Sequence, residues 1–115
     1  MSSEMPSAVP IDIASCEAFE TIVATTGSSV YELIVLGNEP GTVLVRGGKH
    51  FKKFCRAVFV GSMRQGRAIE RHSIGIGRRM KFYFENMVIV TSAVQSLCRR
   101  EKPSEEGTLS AGGTS

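Results

Sequence analysis

Tryptophan is absent from this chain of 115 residues, and no apolar run approaches the roughly 20 residues that a membrane-spanning helix needs. The first 15 residues lack both the basic segment and the apolar stretch of a secretory signal. We therefore expect a cytoplasmic protein with no membrane partner. With 42% apolar and 22% charged residues, the chain has the composition of one small globular domain.

Cysteine is scarce, and its spacing excludes the common cysteine-based sites. Cys16, Cys55 and Cys98 are odd in number and widely separated. A disulfide framework needs an even number of cysteines, and a zinc site needs closely spaced ligand pairs. We expect Cys55 to act as a small core hydrophobe, and we expect no metal site.

The glycine and histidine patterns do not build a catalytic or cofactor site. The segment GIG at residues 75–77 begins like a dinucleotide fingerprint, but the third glycine is missing and a strand pattern follows where a helix is required. No Walker lysine followed by Ser or Thr accompanies Gly47 and Gly48, which excludes a P-loop. His50 and His72 lack the nucleophile and orienting carboxylate of a general base. The sequence thus predicts a non-enzymatic protein with no catalytic residues and no cofactor.

The clearest structural pattern is a period-two alternation in the segment MKFYFE. Its apolar residues Met80, Phe82 and Phe84 share one face of a predicted strand. Asn86 then favours a tight turn, and the β-branched segment VIVT follows. These features predict a β-hairpin whose first strand places Met80, Phe82 and Phe84 in the core.

Short β-rich segments recur along the rest of the chain, with turn residues every eight to twelve positions. Further strands are predicted at residues 19–25, 30–36, 42–45, 57–60 and 69–76, and one brief helix at residues 49–55. Six to seven short strands predict an all-β fold, a small antiparallel β-barrel of the SH3-like or a related kind. Residues 1–17 and 101–115 are predicted to be disordered tails around a domain at residues 18–100.

Charge is segregated along the chain. Residues 1–44 contain six acidic side chains and no Lys or Arg, whereas residues 45–100 contain thirteen basic side chains and two acidic ones. One interpretation is that the basic residues form an anion-binding face, with His50, Phe51, Phe54 and Tyr83 interspersed among them. The other is that they are a solvated surface, or that they pair with the acidic first third inside one fold.

The candidate anion-binding or nucleic-acid-binding residues are those of the basic central region. They are Lys49, Lys52, Lys53, Arg56, Arg64, Arg67, Arg78, Arg79 and Lys81, with Arg71 nearby.

Several segments between residues 25 and 97, including TTGSSVYELIVL, VLVRGGKHF and IGIGRRMKFYF, resemble those of a set of short bacterial β-rich proteins with no assigned activity. The resemblance implies turn roles for Gly47, Gly48 and Gly61, and it implies no functional residue.

The sequence thus favours binding over catalysis. We expect an interaction or regulatory module with a protein partner. The alternative is a module that binds RNA, DNA or another polyanion through the basic face.

Overall fold

A computed structural model of the protein describes residues 4–7, 9–37, 39–63 and 69–100. Within these residues the fold is all-β, as predicted, apart from one 3-10 turn at Ile13–Ser15. The strands are β1 (Glu4–Pro6), β2 (Ile11–Asp12), β3 (Thr21–Thr26), β4 (Val30–Val35), β5 (Thr42–Gly47), β6 (Phe51–Met63), β7 (Glu70–Arg71), β8 (Ser73–Ile74), β9 (Arg79–Phe84) and β10 (Met87–Arg100). Every pairing between them is antiparallel.

The main sheet closes into a ring. Its order is β10, β3, β4, β5, β6 and β9, and β9 also pairs with β10. The two long strands make closure possible because each changes partner along its length. Strand β6 pairs with β5 up to Val58 and with β9 from Val58 onward, and β10 pairs with β9 up to Ala93 and with β3 from Val94.

Strand β6 continues past the point where the sequence predicted its end. The prediction stopped this strand at residue 60, but β6 runs through Gly61 to Met63. The register shifts between Phe59 and Gly61, where φ is +155°. A side chain at this position would collide with the backbone carbonyl of Glu70 on β7. Glycine therefore allows the strand to bend while it remains paired.

The predicted helix at residues 49–55 is wrong, because most of this segment belongs to β6. Phe51 pairs with Gly47, and Cys55 pairs with Val45. One intervening residue on β5 thus faces three on β6, and Lys52 and Lys53 are exposed in this irregular stretch. The extra residues on β6 disturb the two-residue periodicity of the strand. The apolar residues of this segment therefore have a spacing that is typical of a helix.

The predicted hairpin is confirmed. Strand β9 pairs with β10 from Phe84 and Met87 onward, across a two-residue turn. Glu85 and Asn86 both have positive φ, at 51° and 65°, which is the backbone of the turn that best matches the twist of a hairpin.

The core lies inside the ring and centres on three phenylalanines. Phe82 is fully buried, and its ring packs edge-to-face against Phe51 and Phe59, each with a centroid distance of 5.5 Å. Met80 is also fully buried, and Phe84 and Cys55 pack against this cluster. The predicted inward face of β9 is therefore correct.

The folded region begins earlier than the predicted boundary at residue 18. Ile11 and Ile13 are 4% and 1% exposed, and β2 pairs with β8. The Ile13 amide donates a hydrogen bond to the His72 carbonyl at 2.8 Å. A two-residue strand shows too little periodicity to be recognised, which is why the sequence placed these residues in a tail. The predicted tail at residues 101–115 lies outside the described residues.

Candidate interaction surface

The outer side of β6, β9 and β10 presents a row of exposed apolar side chains. Val58 lies opposite Tyr83, and Tyr83 lies opposite Val88. Their relative exposures are 38%, 49% and 57%. Val90, at 42% exposure, lies two positions along β10 on the same side. We call these four residues the valine–tyrosine face.

Local alternation and the hairpin register together build this face. Phe82 points into the core, so its neighbours Lys81 and Tyr83 point outward. The two-residue turn then sets Val88 opposite Tyr83 and Val90 opposite Lys81. Side chains directly opposite one another on adjacent strands have Cβ atoms about 4.5–5.5 Å apart, so the row is continuous.

Two shallow grooves flank Tyr83. One has a volume of about 310 Å³ and is lined by Arg56, Val58 and Tyr83, with Glu39 and Glu85 among its other lining residues. The second has a volume of about 370 Å³ and lies along the hairpin at residues 83–88. The grooves could hold side chains that project from a segment laid across the face.

Three of the predicted basic residues accompany this face. The Lys81 ammonium lies 5.8 Å from the centroid of the Tyr83 ring, within reach of a cation–π interaction. Arg56 is exposed on β6 beside the first groove, and Arg79 is exposed at the start of β9. Glu39 and Glu85 line the same groove as Arg56, so the charge there is mixed.

The other predicted basic residues that the structure describes are not gathered at the face. Arg78 forms an ion pair with Glu70, and its side chain is only 16% exposed. Lys49, Lys52 and Lys53 are exposed along the turn between β5 and β6 and the beginning of β6. Arg64 and Arg67 lie outside the described residues.

The aromatic residues among the basic segments have three different environments. Phe51 is fully buried in the core and unavailable for stacking, which corrects its interpretation as part of a binding platform. Phe54 is 37% exposed, and the Arg46 guanidinium lies 4.4 Å from its ring centroid. His50 and Tyr83 are exposed. Of these aromatic residues, only Tyr83 belongs to the valine–tyrosine face.

The acidic first third of the chain pairs with part of the basic remainder. Glu32 forms ion pairs with Arg46 and with Arg100, the second at 3.2 Å. Hydrogen bonding from Arg46, reinforced by Arg100, holds the pKa of Glu32 below its usual value. Glu20 lies 3.6 Å from Arg99. The charge segregation in the sequence is thus partly neutralised within the fold.

Potential metal ligands and a cysteine thiol with a shifted pKa occur among the described residues. Among them, no group of three or more His, Cys, Asp or Glu side chains is placed to hold a metal ion. Burial, with a further contribution from Glu20, raises the pKa of Cys16 to about 11, so this thiol stays protonated and is a weak nucleophile near neutral pH. In the part of the chain that the structure describes, no helix is both long and apolar enough to cross a bilayer.

Sequence reasoning missed the valine part of the surface. The segment MVIV in residues 87–90 is apolar at every position, so both faces of the strand are apolar. Such a run commonly indicates a strand buried on both sides. Here Ile89 is buried at 5% exposure, but Val88 and Val90 face outward.

No family model, curated protein or solved structure matches this chain.

Proposed function

We propose that the protein is a non-enzymatic interaction module that binds an apolar segment of a protein partner on the valine–tyrosine face. The observation that carries the proposal is the row of Val58, Tyr83 and Val88, which lie side by side on three adjacent strands and are each more than a third exposed. Isolated exposed apolar residues are common on proteins, but contiguous ones mark interaction surfaces.

The chemistry of the face favours an extended segment that carries both apolar and acidic side chains. Val58 and Val88 offer aliphatic contacts, and the Tyr83 ring offers a large, rigid contact area with a polar tip. Lys81 and Arg56 border the row and favour a carboxylate near the apolar side chains of the partner. We therefore expect partner segments that combine aliphatic or aromatic residues with Asp or Glu.

A peptide-display selection tests this function. Random peptides are selected on the wild-type protein, and their affinities are measured by fluorescence anisotropy for wild type and for Val58→Lys. We expect roughly tenfold weaker binding to the variant, a loss of about 1.4 kcal/mol, because the lysine interrupts the apolar row.

The matched control is Val30→Lys. Val30 is 54% exposed on β4, which is not one of the three strands that carry the face. Peptides should bind this variant as they bind wild type. A selection that yields no binders, or binders equally insensitive to both substitutions, would contradict the proposal.

Binding of a single-stranded nucleic acid is the second candidate function. It is favoured by the position of Lys81 over the Tyr83 ring, with Arg56 and Arg79 on the same pair of strands. Stacking on an aromatic ring beside cationic side chains is how sequence-tolerant single-strand binding works. The Arg78–Glu70 ion pair and the carboxylates beside Arg56 weaken this candidate.

Salt dependence separates the two candidates. If the protein binds nucleic acid, its affinity should fall steeply as salt concentration rises. The slope of the logarithm of affinity against the logarithm of salt concentration should decrease in magnitude by about 0.7 for each phosphate contact removed from a single strand. The variants are Arg56→Gln, Arg79→Gln and Lys81→Gln, measured with DNA and RNA oligonucleotides. If wild type does not bind either one at low salt, this second function is wrong.

Two further parts of the proposal concern architecture and location. We propose that the ring of strands is a small barrel of the SH3-like or a related kind, since closure leaves few free edges. We also propose a cytoplasmic location. The support is that Cys16, Cys55 and Cys98 are all free thiols, as expected in a reducing compartment.

A further inference from the structure

Among the described strands, the first half of β10 has a partner on one side only. Residues 87–93 of this strand pair with β9, but pairing with β3 begins at Val94 and pairing with β1 begins at Cys98. No described strand lies along the opposite side of residues 87–93. The hydroxyl of Ser28 contacts the hydroxyl of Ser92 at 3.1 Å, so the turn between β3 and β4 marks the end of this open edge.

The turn geometry identifies the backbone groups that face the open edge. In a hairpin with a two-residue turn, the pair that flanks the turn shares hydrogen bonds, and bonded pairs then alternate along the strands. Met87 and Ile89 accordingly direct their amides and carbonyls toward β9. Val88 and Val90 direct theirs away from β9, toward the open edge.

The sequence of this edge lacks the charged residues and prolines that usually prevent strands from pairing between molecules. No charged residue and no proline or glycine occurs from Asn86 to Cys98. The two terminal strands of the sheet differ, because β1 contains Pro6 and β7 consists of Glu70 and Arg71, both exposed. Prolines and charges of this kind protect edge strands from intermolecular pairing. The open edge of β10 is thus the unprotected one among these three.

A second copy of the chain fits this edge better than an unrelated segment. A strand that pairs antiparallel with its own copy does so around a two-fold axis, so both molecules use the same surface. With Ile89 opposite Ile89 of the second copy, Val88 lies opposite Val90, and both valines exchange backbone hydrogen bonds. The register shift between Val90 and Ala93 ends the regular edge, which favours this central alignment.

The side chains also match in this alignment. One row of outward side chains then crosses both molecules: Tyr83 and Val88 of the first copy, followed by Val90 and Lys81 of the second copy. The exposed valines of the two copies therefore pack against each other across the paired β10 strands. The two Lys81 residues are separated by three strand spacings, at least about 14 Å, which exceeds the Debye length of about 8 Å at physiological salt. The uncharged edge has no electrostatic means of selecting a different partner strand.

We propose that the protein forms a symmetric dimer in which the β10 edges of two copies pair antiparallel around Ile89. The dimer extends the sheet through both molecules and joins the two valine–tyrosine faces into one surface. The inference is independent of the proposed function, because it depends on backbone pairing at the edge of the face and not on a partner bound to it.

Sedimentation velocity over a wide concentration range tests the dimer. Wild type should shift with concentration from the 12.4 kDa monomer to twice that mass. Val90→Pro should remain monomeric, because it removes an amide that faces the open edge, and proline is tolerated on strand edges. Val88→Lys should weaken the dimer by placing charges at the interface. The amides of Val88 and Val90 should exchange more slowly with solvent as wild type dimerises.

The controls make each outcome decisive. Val30→Lys, which adds a lysine to a similarly exposed position on β4, should dimerise as wild type does. Circular dichroism melts establish that each variant is folded. A wild type that is monomeric at every concentration, or a folded Val90→Pro that still dimerises, overturns the proposal. A third outcome also overturns the proposal: the full chain stays monomeric, but a chain truncated after residue 100 dimerises. In that case the C-terminal segment of the full chain occupies the edge.

Val58→Lys distinguishes failure of this inference from failure of the proposed function. Val58 lies on β6, two strands from the open edge. Its substitution should weaken peptide binding and leave the mass of the dimer unchanged, whereas Val90→Pro should abolish the dimer.

Discussion

The adjacent residues Phe82 and Tyr83 should respond very differently to substitution by alanine. Phe82 is fully buried between the rings of Phe51 and Phe59, whereas Tyr83 is 49% exposed on the opposite side of β9. Replacing a buried phenylalanine removes its transfer free energy and leaves a cavity, at a cost of about 3–5 kcal/mol. Tyr83 mainly contributes two cross-strand contacts, with Val58 and Val88, worth about 1 kcal/mol together.

Thermal and urea unfolding followed by far-ultraviolet circular dichroism measures both effects, and the method does not need the tryptophan that this chain lacks. For a domain of this size, 1 kcal/mol corresponds to about 4–8 °C in melting temperature. Phe82→Ala should therefore lower the melting temperature by about 12–40 °C, enough to unfold much of a marginally stable domain. Tyr83→Ala should lower it by only about 4–8 °C.

Phe82→Leu is a useful control because it keeps most of the buried volume, and it should cost less than Phe82→Ala. Equal losses for Phe82→Ala and Tyr83→Ala, or a larger loss for the tyrosine variant, would refute the reasoning. A one-residue shift in the register of β9 exchanges its two faces, and it would produce that result.

Two further predictions concern an ion-pair cluster and a bend. Glu32 has a lowered pKa in the folded state because of Arg46 and Arg100, so its contribution to stability is present above its unfolded-state pKa and is lost as pH falls through the folded-state value. Glu32→Gln should lower the unfolding free energy by about 1 kcal/mol at neutral pH. It should also make the unfolding free energy less dependent on pH on the acid side, as measured by urea titrations at several pH values. An unchanged pH dependence would contradict this prediction. Gly61→Ala should cost about 2 kcal/mol or more, because a side chain there meets backbone, whereas Gly77→Ala, with φ of +84° and open space around it, should cost about 1 kcal/mol. Equal melting temperatures for the two glycine variants would contradict the proposed reason for the bend in β6.

The proposed dimer bears on how these measurements are made. If the β10 edges pair, apparent stability rises with protein concentration, because association stabilises the folded state. Comparisons between variants therefore require one concentration, and Val90→Pro supplies a monomeric background in which the Phe82 and Tyr83 variants can be repeated.

Local patterns were sufficient for the hairpin and its inward face. The alternation of Met80, Phe82 and Phe84 with polar neighbours has the strand period, and Asn86 favours positive φ, so a short segment contains all of this information. Where the local pattern was short or disturbed, prediction failed. Ile11 and Ile13 belong to the core through a strand of two residues, and Phe51 lies in an irregular stretch of β6 that imitates helical spacing.

The candidate surface required long-range information. Val58 lies opposite Tyr83 because β6 pairs with β9, a contact between segments distant in sequence. Charge composition indicated a basic region, but only the fold determines that Arg78 is paired with Glu70 and that Lys81 lies over Tyr83.

By itself, the sequence determined the β class, the hairpin and the segregation of charge, because each depends on neighbouring residues and on composition. The tertiary structure decided which strands close the ring, which valines face outward and which edge of β10 has no described strand beside it. These features depend on register and pairing between distant segments, and no local periodicity encodes them.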